Sequence, residues 1–177
     1  MTLIEYFDKD TIKNILAVLT LKPERVVYIY DSAIKDGKYF AALKKCFMKH
    51  IPHIQLEKVP VDINNVQDIY EKTCFAIDKY GASAMEMTGG SELMMIAGHK
   101  AGAEKNITMY HTDIASGKIR DIEDPEFIMD TATLTLEDFI DAKGAAFVGE
   151  SHRDPDEKNY DAILDMCSYI FRNLRAW

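Results

Sequence analysis

The residues whose types and spacing best suit chemistry are Thr88, Gly89, Gly90 and Ser91. They follow the apolar run at 83–87 and lead straight into Leu93, Met94, Ile96, Ala97 and Ala101 at helical spacing. Two successive glycines after a strand let a ligand come close to the backbone. A helix opening behind them aims unpaired N–H groups and a partial positive charge at whatever occupies the loop. That is the chemistry of an anion or phosphate cradle, although the same glycines also serve simply to turn a strand tightly into a helix. Thr88 and Ser91 add hydroxyls that either donate to a phosphate oxygen or cap the helix. The two jobs compete for the same proton and lone pairs, and capping is expected for one of them.

Other chemistries find less support. The chain has neither a GxxxxGK[ST] nor a GxGxxG element, so ATP hydrolysis and dinucleotide hydride transfer lack their usual supports. Pro125-Glu126 with Asp141-Ala142-Lys143 imitates a PE...DxK metal-dependent nuclease pattern. That Asp and Lys fall in helical periodicity at 136–143, whereas such sites sit on a strand, and the surrounding residues cannot build a separate core. His152-Arg153-Asp154 matches a kinase triplet without its partners and reads as chance in a linker. His50, His53, His99 and His111 read as surface histidines, with His111, at a strand end, the one to test. Cys46, Cys74 and Cys167 are odd in number and far apart, and no Cys or His has zinc-site spacing. Each cysteine is expected to be a small buried residue in a reducing, cytoplasmic setting, with no metal and no cofactor.

The elements that must position the loop follow a βαβ rhythm. Strands are expected at 3–7, 25–30, 55–61, 83–87 and 107–112, with helices between them. Asp10 can cap the first helix (Ile12, Ile15, Leu16, Leu19), and Pro23 follows its end. The third helix presents Val66, Ile69, Tyr70, Thr73, Ile77 and Tyr80 on one face and stops at Gly81. Repeated alternation of this kind implies an α/β, Rossmann-like, doubly wound and mostly parallel sheet. A tight turn at 115–118 returns into 119–122 as an antiparallel hairpin, and Thr135 precedes a short helix at 136–143 that Gly144 stops. Residues 145–148 are expected to form a last strand, 150–157 a polar linker, and 156–177 a helix with one apolar face. Ligands of such sheets sit beyond the carboxyl ends of the strands, which also draws in the loops at Asp8-Lys9, Asp31-Ser32 and Asn64-Asn65.

Composition sets the outer bounds. At 177 residues, 47% hydrophobic and 28% charged, the chain suffices for one full domain. Charges interrupt every apolar stretch well short of the ~18 residues a membrane helix needs. With 21 Lys and Arg against 29 Asp and Glu, and a net charge of −8, it is a poor candidate for direct duplex-DNA binding. A small anion in one local pocket remains compatible.

The segment Met85-Glu86-Met87-Thr88-Gly89-Gly90-Ser91-Glu92-Leu93-Met94, with Asn14-Ile15-Leu16 and Lys22-Pro23-Glu24-Arg25-Val26, resembles the CARF (CRISPR-associated Rossmann fold) sensor domain. The resemblance covers roughly residues 1–148 and is to the branch in which the sensor precedes a PD-(D/E)xK-type nuclease activated by cyclic oligoadenylate. It implies a sensor domain at 1–149 and, at 150–177, a linker and the start of a helical or winged-helix connector, with the nuclease beyond this chain. It further implies a homodimer in type III CRISPR antiviral defence whose two TGG loops hold a cyclic tetra-adenylate near a two-fold axis. Ligand-binding positions carried over by motif are Thr88, Gly89, Gly90 and Ser91; Phe7, Asp8 and Lys9 are carried over by location, and Asp31 and Ser32 more loosely. Two alternatives stand beside this one: a ring nuclease using Thr88, Ser91 and Lys9, and a non-catalytic interaction or dimerisation domain. Glu92 stands where many members have Lys. A carboxylate ~6 Å from a phosphate costs roughly 3 kcal/mol at an effective dielectric of ~20, against about 0.3–2 kcal/mol from the helix end. Glu92 is therefore expected to point away.

Overall fold

The computed structural model describes residues 1–34 and 37–144. Apolar runs of strand length alternate with helical stretches in the order β1 (Thr2–Tyr6), α1 (Thr11–Leu21), β2 (Arg25–Asp31), α2 (Gly37–His50), β3 (Gln55–Val61), α3 (Val66–Tyr80), β4 (Ala84–Glu86), α4 (Glu92–Lys105), β5 (Thr108–Asp113), β6 (Lys118–Asp121), β7 (Ile128–Asp130) and α5 (Leu136–Ala142). The sheet runs β3-β2-β1-β4-β5-β6-β7. It is parallel from β3 to β5 and antiparallel at β6 and β7. This is the doubly wound α/β architecture the sequence predicts.

Strand alternation divides the core into two layers. Ile4, Tyr6, Val27, Ile29, Met85 and Met109 pack under α3 and α4. Leu3, Phe7, Val26 and Tyr28 pack with Ile15 and Val18 of α1 and Phe40, Leu43 and Phe47 of α2. Local signals set the helix ends: the side chains of Asp10, Asn65, Ser91 and Thr135 accept hydrogen bonds from the first turns of α1, α3, α4 and α5. Gly81 closes α3 in the left-handed region at φ 60°.

Several expectations are corrected. β7 was not anticipated; it is a three-residue edge strand in which the apolar Ile128 is exposed beside a half-buried Met129, so no apolar–polar alternation marks it in the sequence. Val66 and Ile96, assigned to apolar faces, are exposed, and Cys74 is half-buried rather than buried. Asp141 is helical and bonded to α2: Lys45 donates to it at 2.8 Å and Lys49 pairs with its other oxygen. His50 meets Asp138 at 2.5 Å in the same seam. The expected strand at 145–148, linker and terminal helix, with Cys167 and His152-Arg153-Asp154, lie outside the described residues.

α4 approaches the sheet through Gly98, where an added Cβ would sit 2.5–2.8 Å from the Tyr6 ring and hydroxyl. The ring cannot swing clear, because Tyr6 is buried and its hydroxyl lies 3.0 Å from that of Thr73. Gly98→Ala is expected to lower unfolding free energy by about 1–3 kcal/mol in urea titration, overpacking outweighing the helix-propensity gain of ~1 kcal/mol.

Candidate functional site

β1 is the switch point of the sheet: it pairs with β2 on one side and β4 on the other, and the chain leaves the two inner strands toward opposite faces. The loops after β1 and β4 therefore part above a crevice, and Asp8 holds them together. Its backbone N–H donates to Asn14 Oδ1 at 2.8 Å, and its carbonyl accepts from Asn14 Nδ2 at 2.6 Å. Its carboxylate accepts from Asp10 N–H at 2.8 Å, Lys13 Nζ at 3.1 Å and, across the crevice, Gly90 N–H at 3.2 Å.

Both glycines of the turn are required by space. A Cβ on Gly89 would lie 2.5 Å from the Tyr6 carbonyl oxygen, and Gly90 has φ 90° with Tyr6 Cβ and the Met94 sulfur 2.8 and 2.9 Å from its would-be Cβ. Gly90→Ala would thus disturb the folding of the turn itself. The two hydroxyls divide as follows: Ser91 Oγ accepts from Met94 N–H at 3.3 Å and caps α4, while Thr88 turns inward to Glu86. Glu86 Oε2 also accepts Thr88 N–H at 2.8 Å. Two of the four amides in the turn are therefore taken by the chain's own carboxylates. The first free N–H groups of α4, behind Ser91, still face outward from the helix end.

A cavity of about 260 Å³ opens here. Phe7, Ile34, Ile63 and Met94 form its apolar wall, and Asp8, Lys9, Asp31, Gly90 and Ser91 its polar side. The Phe7 ring stands 5.0 Å from that of Phe40 in α2. Thr88, Gly89 and Ser32 do not line the cavity; Ser32 N–H donates to the Val61 carbonyl at 2.8 Å, and Asp31 accepts from Ala33 N–H at 2.8 Å. Glu92 is exposed and outside the lining, as expected of a first-turn helix acid. A second hollow, about 500 Å³, lies between the start of α1, the end of β5 and Phe139, and contains His111, whose Nδ1 is 3.4 Å from Thr88 Oγ1. Among the described residues, no group of three or more His, Cys, Asp or Glu could hold a metal ion. No helix among them is long and apolar enough to cross a membrane.

Sequence reasoning missed Glu5 and Glu86, each 1% exposed and paired in register on β1 and β4. Their signal was available: each stands two residues from an apolar neighbour on a buried strand face, Leu3 and Phe7 for one and Ala84 for the other. Neither Glu5 oxygen has a hydrogen-bond partner. Burial, then the Glu86 charge, push the Glu5 carboxyl well above the usual carboxylate range, against the opposing Tyr28 hydroxyl. Burial also raises Glu86, opposed chiefly by the Thr88 hydroxyl and N–H.

No protein-family model matches the sequence, and no curated protein matches it. Solved structures do share the fold. Can2 from Sulfobacillus thermosulfidooxidans, in complex with cyclic tetra-adenylate, superposes with a TM-score of 0.71 at 14% identity over 80% of this chain and 39% of its own. Protein VC1899 from Vibrio cholerae gives 0.67 at 10% identity over 80% of this chain and 38% of its own. A type III CRISPR defence DNA nuclease activated by cyclic oligoadenylate gives 0.58 at 8% identity over 81% and 23%. The chain spans well under half the length of each. What these likenesses show is a shared fold, the doubly wound, mostly parallel α/β sheet described above.

A carboxyl that keeps its proton in the folded state above the pH at which the unfolded chain releases it makes stability fall as pH rises. For Glu5 this loss begins near pH 4.5, its ordinary value. Glu5→Gln is expected to match the native melting temperature below that pH and exceed it increasingly up to pH 8, as read by thermal denaturation. A difference independent of pH would contradict the assignment.

Proposed function

We propose that this chain is a sensor module that binds a cyclic oligoadenylate, cyclic tetra-adenylate in the first instance, between two copies of itself. In this reading it passes the binding event to an effector nuclease domain outside this chain. The carrying observation is the cavity at the β1–β4 switch point, where Lys9, the Gly90-Ser91 backbone and the start of α4 face an apolar wall, with Asp8 and Asp31 beside them. A nucleotide uses all three kinds of surface: phosphate at the cation and helix end, base on the apolar side chains, and ribose hydroxyls donating to carboxylates. At about 260 Å³ the cavity falls below the ~300–1,000 Å³ of typical small-molecule sites. One protomer thus receives a portion of a ring of nucleotides, and a two-fold pair of cavities matches the symmetry of the whole ring. Fold likeness to Can2, which was solved holding this ligand, points the same way. Thr88 and Ser91 spend their hydroxyls on Glu86 and on the helix cap, which favours holding the ring over cleaving it.

Cyclic tetra-adenylate at ~100 times its dissociation constant is expected to stabilise the protein by about 2.7 kcal/mol, a rise of roughly 5–10 °C in melting temperature for a chain of this size. Ser91→Asp keeps a good capping residue while adding a negative charge to the cavity, so it should abolish the rise and leave the unliganded melting temperature nearly unchanged. Chromatography after incubation should return an intact ring. No shift with cyclic tetra- or hexa-adenylate would reject the sensor, and linear products would convert it into a ring nuclease.

A further inference from the structure

We infer that Glu86 is the positioning residue of the 88–91 turn, and that it acts as an anion because the single proton shared by the Glu5–Glu86 pair resides on Glu5. The inference deepens the ligand-binding reading above by naming what holds its turn in shape.

Three donors converge on Glu86. They are the Thr88 N–H at 2.8 Å, the Thr88 hydroxyl and the Thr112 N–H at 3.1 Å. Thr112 N–H also reaches Thr88 Oγ1 at 2.7 Å, so the carboxylate ties the turn to the end of β5. A protonated carboxyl has a donor of its own and would set it against one of these three, whereas a carboxylate accepts them all. Glu5 has the opposite surroundings: neither oxygen has a hydrogen-bond partner, the one hydroxyl beside it, that of Tyr28, commits its proton to the Asn14 carbonyl, and Glu86 is its register partner in the adjoining strand. A second buried anion there would be unpaired and beside a like charge, the arrangement in which one of two carboxyls keeps its proton.

The groups facing the pair from neighbouring elements do not alter this assignment. From β2, Tyr28 gives its proton to the Asn14 carbonyl at 2.5 Å. From β5, Tyr110 is the register partner of Glu86, and His111 is exposed. From α1, Lys13 is held by Asp8 at 3.1 Å, and from α2 Cys46 is a buried thiol. The Thr88 N–H and hydroxyl are therefore held from below by charge, while Asp8 holds Gly90 from the side. Neutralising Glu86 releases Thr88 without touching a cavity-lining residue.

The test uses the full chain in three measurements. In carbon-13 glutamate spectra of the native protein at pH 7, one carboxyl should resonate as the protonated acid, and that signal should vanish in Glu5→Gln. Two ionised carboxyls, or an acid signal that survives in Glu5→Gln and vanishes in Glu86→Gln, would overturn the assignment. In hydrogen exchange, Glu86→Gln should lower protection of the Thr88 and Thr112 amides about tenfold or more, while Glu5→Gln leaves them unchanged. Unaltered Thr88 protection in Glu86→Gln would overturn the positioning role. By calorimetry with cyclic tetra-adenylate between pH 5 and 8, Glu86→Gln should bind about tenfold more weakly at pH 8. Native affinity should fall toward that level as the pH drops, while Glu5→Gln at pH 8 matches the native protein. Equal affinities in all three proteins at every pH would also overturn the role. If the native protein does not bind the ring, the sensor reading fails, and exchange and carbon-13 spectra still decide the role of Glu86. If Glu86→Gln does not fold, the carbon-13 spectra of the native chain and Glu5→Gln decide which carboxyl is protonated. Thr88 and Thr112 amide protection in Glu86→Asp, expected to fall because the shorter side chain cannot reach both donors, then decides the role; unaltered protection there overturns it.

Discussion

Backbone donors turned away from water need partners, and at this switch point two acidic side chains supply them. Asp8 takes the Gly90 N–H from one side of the crevice, and Glu86 takes the Thr88 N–H from beneath. The turn between β4 and α4 is consequently a braced structure, shaped before any ligand arrives. Preorganisation of that kind lowers the ordering cost of binding. It also narrows where an anion can sit. The accessible positive end is the start of α4 beyond Ser91, with Lys9 in the lining of the same cavity, rather than the whole run of amides that a glycine pair suggests.

The glycines belong to the same constraint. Gly89 lies against the end of β1 and Gly90 against Tyr6 and Met94, so packing alone already demands both glycines of the motif. Tyr6 links the two: its backbone meets Gly89, its Cβ meets Gly90, and its ring fills the notch at Gly98 one layer down. A single aromatic residue at the end of β1 thereby sets how closely α4 and its leading turn approach the sheet.

Much of the architecture was legible because its signals are local. Asp10, Ser91 and Thr135 announce helix starts by chemistry that needs only the next three residues, and Gly81 marks an end through its left-handed backbone. β3 was legible to the residue at 55–61. β7 was not, because it gains its hydrogen bonds from β6 across an intervening loop and buries little. Within the candidate site, the sequence brought forward Phe7, Asp8, Lys9, Asp31, Gly90 and Ser91, which the fold gathers around one cavity. Ile34, Ile63 and Met94 join it through tertiary packing that no spacing rule encodes. Glu86 stood inside the quoted motif, yet its importance depends on the register of β4 against β1 and β5, a long-range property.

The aromatic and ionic contacts of α2 carry a mechanical implication. Phe40 touches Phe7 at the cavity, and Lys45 and Lys49, farther along the same rod, grip Asp141 of α5. From Phe40 to Lys49 is nine residues, about 13 Å of continuous helix at ~1.5 Å per residue. The cavity's aromatic wall and the ion pairs to the last described helix thus share one continuous rod, so the placement of Phe7 and that of Asp141 are referred to the same helix and not only to the hydrogen-bonded strands.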